Sequence, residues 1–383
     1  MEEKQNERGD YIERLEKAAR SLRRQELFLA FVSLFVGAAY LAVMIAWGSP
    51  ALRRFVERPT GSSPWAVVFW YLLLFTLLYN IVHFPVAWLR GYVVERRFRL
   101  SKQRFGRWLW SQVKKYLLSA ALVVALGEAM YFFLRHFEKT WWFWAWIAYL
   151  FFGLVLNRYG ARAILPLFYK RAELDDDALK DRLRALVERA GYRVAAVKRI
   201  IVGADTRKAN AAVTGLGSTK EVLVSDTALE LLEPGEIEAV LAHEIAHMKR
   251  RHGEIMLVVG AALSFAGFVL AAGVLNLSTS ALGLTGVSDV AGFPLIVLVF
   301  ACLFLLVSPL LNYLSRTLEW HADAWGARFL GDPGKLASAV EKLAANNLAE
   351  KDQPRYYEIL FASHPSPGRR AAHLRRMAQR PAP

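Results

Sequence analysis

Cysteine is almost missing: the 383 residues include one, Cys302. An intramolecular disulfide framework is excluded, and so is any metal site that needs several thiolates. Acidic residues are outnumbered by basic ones, 34 against 49, which leaves a formal net charge of +15. Such a balance admits two anionic partners, nucleic acid and a membrane surface. No RNA- or DNA-binding motif accompanies the charge. Internal repeats and low-complexity tracts are lacking as well. Hydrophobic residues make up 55% and charged residues 22%, against roughly 45–50% and about 25% in an ordinary soluble domain. That excludes a mainly disordered chain. The surplus is modest on average, so its distribution decides what it means.

Charge is nearly absent from six stretches. A hydrocarbon core of about 30 Å needs roughly 20 apolar residues of helix. Residues 27–47 carry no charge, and 64–89 are interrupted only by Asn80, His83 and Pro85. Residues 116–134 contain one acid, Glu128, and 141–156 open on Trp141, Trp142, Trp144 and Trp146, as an interfacial aromatic belt does. Residues 255–275 and 293–314 complete six expected spans. The first is no cleaved signal peptide, because a charge-rich stretch precedes it and no small-residue cleavage site follows. Residues 1–25 read as an amphipathic helix with Tyr11, Leu15, Ala18, Ala19 and Leu22 at helical spacing. Two placements fit it, on the membrane surface or in solvent.

The basic residues sort by side. Segments 1–25, 90–115, 158–254 and 316–383 hold 44 of the 49 Lys and Arg, and the alternate loops hold the rest. By the positive-inside rule the first set is cytoplasmic, with both termini inside. The basic excess is then a signature of topology, and nucleic acid loses its main support.

Two soluble segments remain. In the first, 176–190 reads as a helix ended near Gly191, and 233–250 as another with Pro234 in its first turn. Between them 198–202, 209–214 and 221–224 are rich in β-branched residues and bounded by Gly215, Gly217 and Ser218. They predict a small antiparallel sheet. Residues 353–367 read as a loop and 381–383 as a frayed end.

The sharpest motif is His243-Glu244-Ile245-Ala246-His247. Positions i and i+4 share a helix face, so two imidazoles can bind one Zn²⁺. Glu244 adjoins them, where it can take a proton from a water that the ion activates. A catalytic site needs a third protein ligand. The one cysteine lies inside the sixth span, so a carboxylate or histidine must serve. Candidates follow that span in Ser315-Arg316-Thr317-Leu318-Glu319-Trp320-His321-Ala322-Asp323. Glu319 and Asp323 share a face, so one can ligate while the other orients a ligand histidine. By spacing alone His321 stays open as the ligand.

Together these residues carry a resemblance. HEIAH, a pair of spans, then SRTLEWHAD resembles the membrane zinc metalloproteases (gluzincins) that include the eukaryotic type I CAAX prenyl protease and a bacterial heat-shock membrane protease group. Residues 94–103 (VERRFRLSKQ) resemble a loop of the CAAX-protease membrane domain that the shorter heat-shock branch lacks. Lys208-Ala209-Asn210-Ala211 with 221–229 resembles the strand pair leading to the metal helix, and His364-Pro365 with Arg370 resembles a C-terminal HP-x4-R motif. The match runs from about 65 to 375. It implies one Zn²⁺ on His243, His247 and Glu319, with Glu244 as general base and Asp323 behind the ligands. It also implies substrate backbone at Asn210 and Ala211, and His364 and Arg370 near the oxyanion. The stretch around 209–214 would accept an extended peptide by strand addition. The family's longest members have seven spans, where six are expected here. The compact loops point to a prokaryotic member.

The expected fold is mainly α: a polytopic membrane helical protein with a small α+β cytoplasmic zincin-like catalytic domain. Its parts are the segment 1–25, a four-span membrane domain 26–158, a catalytic part 159–254 with the sheet and metal helix, two spans within 255–315, and a C-terminal part 316–383 with the third ligand. The expected activity is a zinc endopeptidase at the cytoplasmic face, acting on a peptide or membrane-protein substrate, lipidated or not. The readings in competition are a CAAX-type protease, a quality-control protease of the heat-shock type, and a non-enzymatic scaffold or transporter with a vestigial metal site.

Overall fold

The computed structural model describes residues 2–61, 63–215 and 220–379. The side chain of Tyr11, the turn residues Gly217 and Ser218, and the end 381–383 lie outside the described residues.

The chain opens on a long helix, α1 (Glu2–Val43), which passes through a π-helical turn (Met44–Gly48) into α2 (Ser49–Thr60). Pro50 stands just after that turn. A proline lacks its N–H and collides with the carbonyl four residues back, and a wider turn relieves both problems. Gly61 ends α2 at φ +59°. In α3 (Pro64–Trp88) Pro85 lies inside the helix, and a π segment (Leu89–Val94) and the short α4 (Glu95–Arg97) follow it. Then come α5 (Phe105–His136) and α6 (Trp141–Phe168).

The expected helix 1–25 does not stand apart from the first span. It is the lower half of α1, continuous with the first span. Its Leu15, Ala18, Leu22 and Leu29 pack with Val94, Phe98, Leu100 and Leu348. Arg23 pairs with Glu350 and lies over the Tyr357 ring. The amphipathic spacing was real, but its apolar face meets protein.

The catalytic part contains β1 (Lys170–Glu173), α7 (Asp177–Arg189), β2 (Ala196–Ile201), β3 (Ala211–Thr214) and β4 (Glu221–Ser225). Asp176 caps α7 by accepting the Leu179 N–H at 2.9 Å, and Gly191 follows it at φ +84°. The strand order is β1-β2-β4-β3. The sheet is mixed rather than antiparallel, because β2 runs parallel to β4 while β3 and β1 pair antiparallel with β4 and β2. Chain direction explains it. The chain reverses between β2 and β3 and again between β3 and β4, so β4, inserted beside β2, runs the way β2 does. β1 was not expected, since Lys170-Arg171-Ala172-Glu173 has no β-branched residue.

Two helices follow, α8 (Asp226–Leu231) and α9 (Pro234–Lys249). Glu233 and Glu236 form a reciprocal capping box on α9. Leu183, Val197, Val222, Val224, Ile237, Leu241 and Ile245 form the core between sheet and helices. Each such side chain contributes about 1.5–3 kcal/mol by burial.

Arg251, at φ +56°, breaks the helix and turns it into α10 (His252–Ser278). After a 3-10 turn comes α11 (Phe293–Leu330), 38 residues long. It contains both the last span and the segment 315–323, so a boundary at 315/316 has no break in the backbone. α12 (Pro333–Asn346), α13 (Arg355–Phe361) and α14 (Pro367–Ala378) close the chain.

Among the described residues, five helical stretches are long and apolar enough to cross a membrane: Glu13–Thr60, Pro64–Arg97, Phe105–His136, His252–Ser278 and Val290–Leu330. The sixth expected span is a helix, α6, which carries four tryptophans in its first half and Arg158 farther along and is not among those five. It packs on α5 and α10, with Trp146 Nε1 donating to the Ala261 carbonyl at 3.1 Å. Arg53 pairs with buried Asp289, which joins loops 48–63 and 276–292 at one end. At the other end the basic segments meet: the Lys102 N–H donates to Asp205 O at 2.9 Å, and Lys208 pairs with Glu95 at 2.8 Å.

Candidate metal centre

The site lies where α9 crosses α11. The two backbones come unusually close, because a Cβ on Gly326 would stand 2.9 Å from the His243 nitrogen and 3.0 Å from Ala242 C. Only a glycine permits that approach. It brings His243 and His247 on α9 against Glu319 and Asp323 on α11.

His243 Nε2 and His247 Nε2 are 3.2 Å apart. His243 Nε2 to Glu319 Oε2 and His247 Nε2 to Glu319 Oε1 are both 3.4 Å. A tetrahedral ion with arms of about 2.0–2.1 Å spaces its ligands by about 3.3–3.4 Å. The three donors thus stand at the edges of such a tetrahedron. Glu319 is buried, and its Oε2 receives no well-aligned hydrogen bond. A buried lone pair without a donor is costly unless a cation takes it. The residues present therefore fit a bound divalent ion. His321 does not join them. It is exposed, and its ring lies 6.4 Å from that of His252.

Behind the three donors, His243 Nδ1 is 2.8 Å from Asp323 Oδ1. Asp323 is fully buried and accepts two hydrogen bonds from Arg370, from Nε at 2.8 Å and from Nη2 at 2.7 Å. Most of the Arg370 guanidinium is thus occupied by Asp323, and Nη1 is left 3.7 Å from Glu319 Oε2. Burial disfavours a charge on His243, but the Asp323 and Glu319 carboxylates beside it outweigh that and push it up to about 9. An ion must displace that proton. Burial raises the Glu244 carboxyl, against the pull of His243 and His247. His364 is exposed, with Nδ1 3.1 Å from Glu319 Oε2.

Asn210 and Ala211 stand on the neighbouring wall. Asn210 is exposed, its N–H donates to Ser225 Oγ at 3.0 Å, and its carbonyl accepts from Ser225 N at 3.0 Å. Ala211 pairs with Val224 and starts β3, the edge strand beside α9.

One residue escaped the sequence reading. His252 is buried, and its Nδ1 lies 2.9 Å from His247 Nδ1. In an unbroken helix, positions i and i+5 diverge by about 140°. The left-handed Arg251 folds His252 back, and that turn is not written in any residue-type signal.

Residues 173–378 match the sequence profile of Peptidase family M48, and 11–170 match that of the CAAX prenyl protease N-terminal region, described as five membrane helices. The chain belongs to peptidase family M48. It is 28% identical over 346 residues to the uncharacterized metalloprotease YhfN of Bacillus subtilis, covering 89% of this chain and 81% of that one. It is 28% identical over 332 residues to CAAX prenyl protease 1 of Saccharomyces cerevisiae, covering 79% and 71%. A protease HtpX homolog of Moorella thermoacetica is 31% identical over 59% of this chain and 78% of its own. The fold is that of S. mikatae Ste24p, whose crystal structure superposes with a TM-score of 0.83 over 94% of this chain and 88% of that one, at 23% identity. This M48 member is a multi-pass membrane metalloprotease that acts on peptide substrates and uses a metal ion.

Proposed function

We propose that the ion is zinc, held by His243, His247 and Glu319, and that the enzyme is an endopeptidase of the CAAX prenyl protease type working at the cytoplasmic face. The spacing of the three donors carries the metal assignment, since two imidazoles and a carboxylate at tetrahedral separations suit Zn²⁺. When bound, the ion supplies Lewis acidity toward a carbonyl and a water. Glu244 takes the proton of the attacking water and passes it to the leaving amine. Asp323 fixes the ring of His243. His364 and the free edge of the Arg370 guanidinium face the oxygen on which charge develops. Asn210 and Ala211 hold the substrate backbone as it lies along the edge of β3.

The substrate carries a lipid in this reading. Support comes from an apolar cavity of about 440 Å³ between α5, α6, α10 and α11, lined by Val123, Met130, Leu263, Phe268, Phe300 and Leu311 among others. Leu311 precedes Glu319 by eight residues, about 12 Å along the helix. The basic segments meeting at the site's end support a cytoplasmic orientation, and no nucleic acid is involved. The test compares a farnesylated peptide, its unfarnesylated twin and a misfolded membrane protein. Preference for the farnesylated peptide is expected. Equal cleavage of both peptides with faster degradation of the misfolded protein would favour a quality-control protease. Glu244→Gln should keep zinc and lose turnover by at least about a hundredfold, and an unchanged rate would refute its role.

A further inference from the structure

The segment 205–210, which leads into the edge strand, is gripped from two sides. On one side the membrane domain reaches it. Ser101 and Thr206 form an antiparallel bridge, the Lys102 N–H donates to Asp205 O at 2.9 Å, and the Arg207 N–H donates to Leu100 O at 3.1 Å. On the other side stands the end of α12. Asn346 Nδ2 donates to Arg207 O at 2.7 Å. Asn347 does more. Its Oδ1 accepts the Ala209 N–H at 2.9 Å, and its Nδ2 donates to the Ala209 carbonyl at 3.2 Å.

That pair of bonds is what a neighbouring strand would give Ala209. A side-chain amide has one acceptor and two donors, so it can imitate a peptide group. Ala209 is buried and stands directly before exposed Asn210. The next residue, Leu348, has φ +51°, a conformation that branched side chains rarely adopt. It is retained because Leu348 is buried among Leu22, Leu29, Val94 and Leu100. The left-handed turn closes α12, with the Ala349 N–H donating to Ala344 O at 2.8 Å and the Leu348 N–H to Ala345 O at 3.3 Å, and so fixes where Asn347 stands.

We propose that Asn347 is a positioning residue for substrate: it fixes the backbone at Ala209, so that Asn210 and the free edge of β3 are presented in one register to an extended peptide. The α1 helix and the 94–100 stretch act through Leu348 to hold the asparagine in place. The proposal rests on the reading that substrate lies along β3.

The experiment uses the full-length enzyme in detergent with zinc and one quenched fluorescent peptide. Asn347→Leu keeps the size and loses both bonds, while Asn347→Asp keeps the acceptor and loses the donor. For Asn347→Leu, KM should rise about tenfold, as expected for two lost hydrogen bonds. Asn347→Asp should give a smaller rise, and kcat should stay within about twofold in both. Zinc content and the melting temperature separate positioning from folding. If Asn347→Leu leaves KM unchanged, or its loss follows zinc occupancy and melting alone, the proposal is overturned. Asn210→Ala is measured alongside. If it raises KM while Asn347→Leu does not, the clamp fails and the strand reading survives. If Asn347→Leu raises KM and Asn210→Ala does not, the clamp holds and the Asn210 contact is the part that fails.

Discussion

Gly326→Ala tests the helix crossing on which the site depends. The added Cβ would meet His243 N at 2.9 Å and Ala242 C and His243 Cα at 3.0 Å. Comfortable contacts lie at about 3.5–4.0 Å, so α11 must retreat by about 0.5–1 Å. All three neighbours are backbone atoms, and no side chain can rotate away. Overpacking of this kind costs about 1–3 kcal/mol, against about 1 kcal/mol returned by the better helix propensity of alanine. The net loss of stability is then about 0–2 kcal/mol. The site changes more. Asp323 and Glu319 precede Gly326 by three and seven residues on the same helix face. A shift of half an ångström there exceeds the roughly ±0.2 Å tolerance of a metal–ligand bond. Zinc affinity should fall at least about tenfold, or 1.4 kcal/mol, in an apo-protein whose thermal melt still shows a cooperative fold. A competition titration against a chromophoric chelator measures the affinity. Gly273→Ala is the control, since it lies in α10 with nothing within 4 Å of its Cβ. Wild-type affinity in Gly326→Ala would refute the argument.

Further outcomes follow from the same geometry. Asp323→Asn removes the charge beside His243 Nδ1 and leaves Arg370 with one neutral acceptor in place of a carboxylate. Metal affinity should drop about 10–100-fold and the fold should weaken, as isothermal titration and thermal melts would report; unchanged binding would mean that Asp323 does not orient the ligand. Glu236 concerns pH. Burial pushes its carboxyl up, but Lys342, Ser338 and the Glu233 N–H outweigh that and hold it below the usual 4.5. A depressed folded value stabilises the protein above the unfolded value, and that share is lost as pH falls through the folded value. The stability gap between wild type and Glu236→Gln should be constant near neutrality and shrink below about pH 4.5; denaturant melts across that range would show a gap independent of pH if the assignment is wrong.

Much of the molecule was legible in the residues alone, for physical reasons that differ by element. Uncharged runs long enough to cross a bilayer announce themselves, because lipid cannot solvate a charge or an open backbone. His243 and His247 were readable as a pair because positions i and i+4 on a helix must share a face, whereas spacing alone left Glu319, Asp323 and His321 open as the third donor. The α7 and α9 boundaries followed from Asp176, Gly191 and Glu233, which act on their own turn of backbone.

What tertiary structure decided was everything set by distant contact. The amphipathic face of residues 1–25 was visible, but whether it meets lipid, water or protein depends on Val94, Leu100 and Leu348, which lie far along the chain. Strand order was hidden, since pairing β4 with β2 is a choice among partners and not a property of either strand. His252 entered the site only through a left-handed turn at Arg251, and Arg370 spends its fork on Asp323 rather than on the site itself. Gly326 looked like one more helical glycine. Its role exists only where two backbones meet.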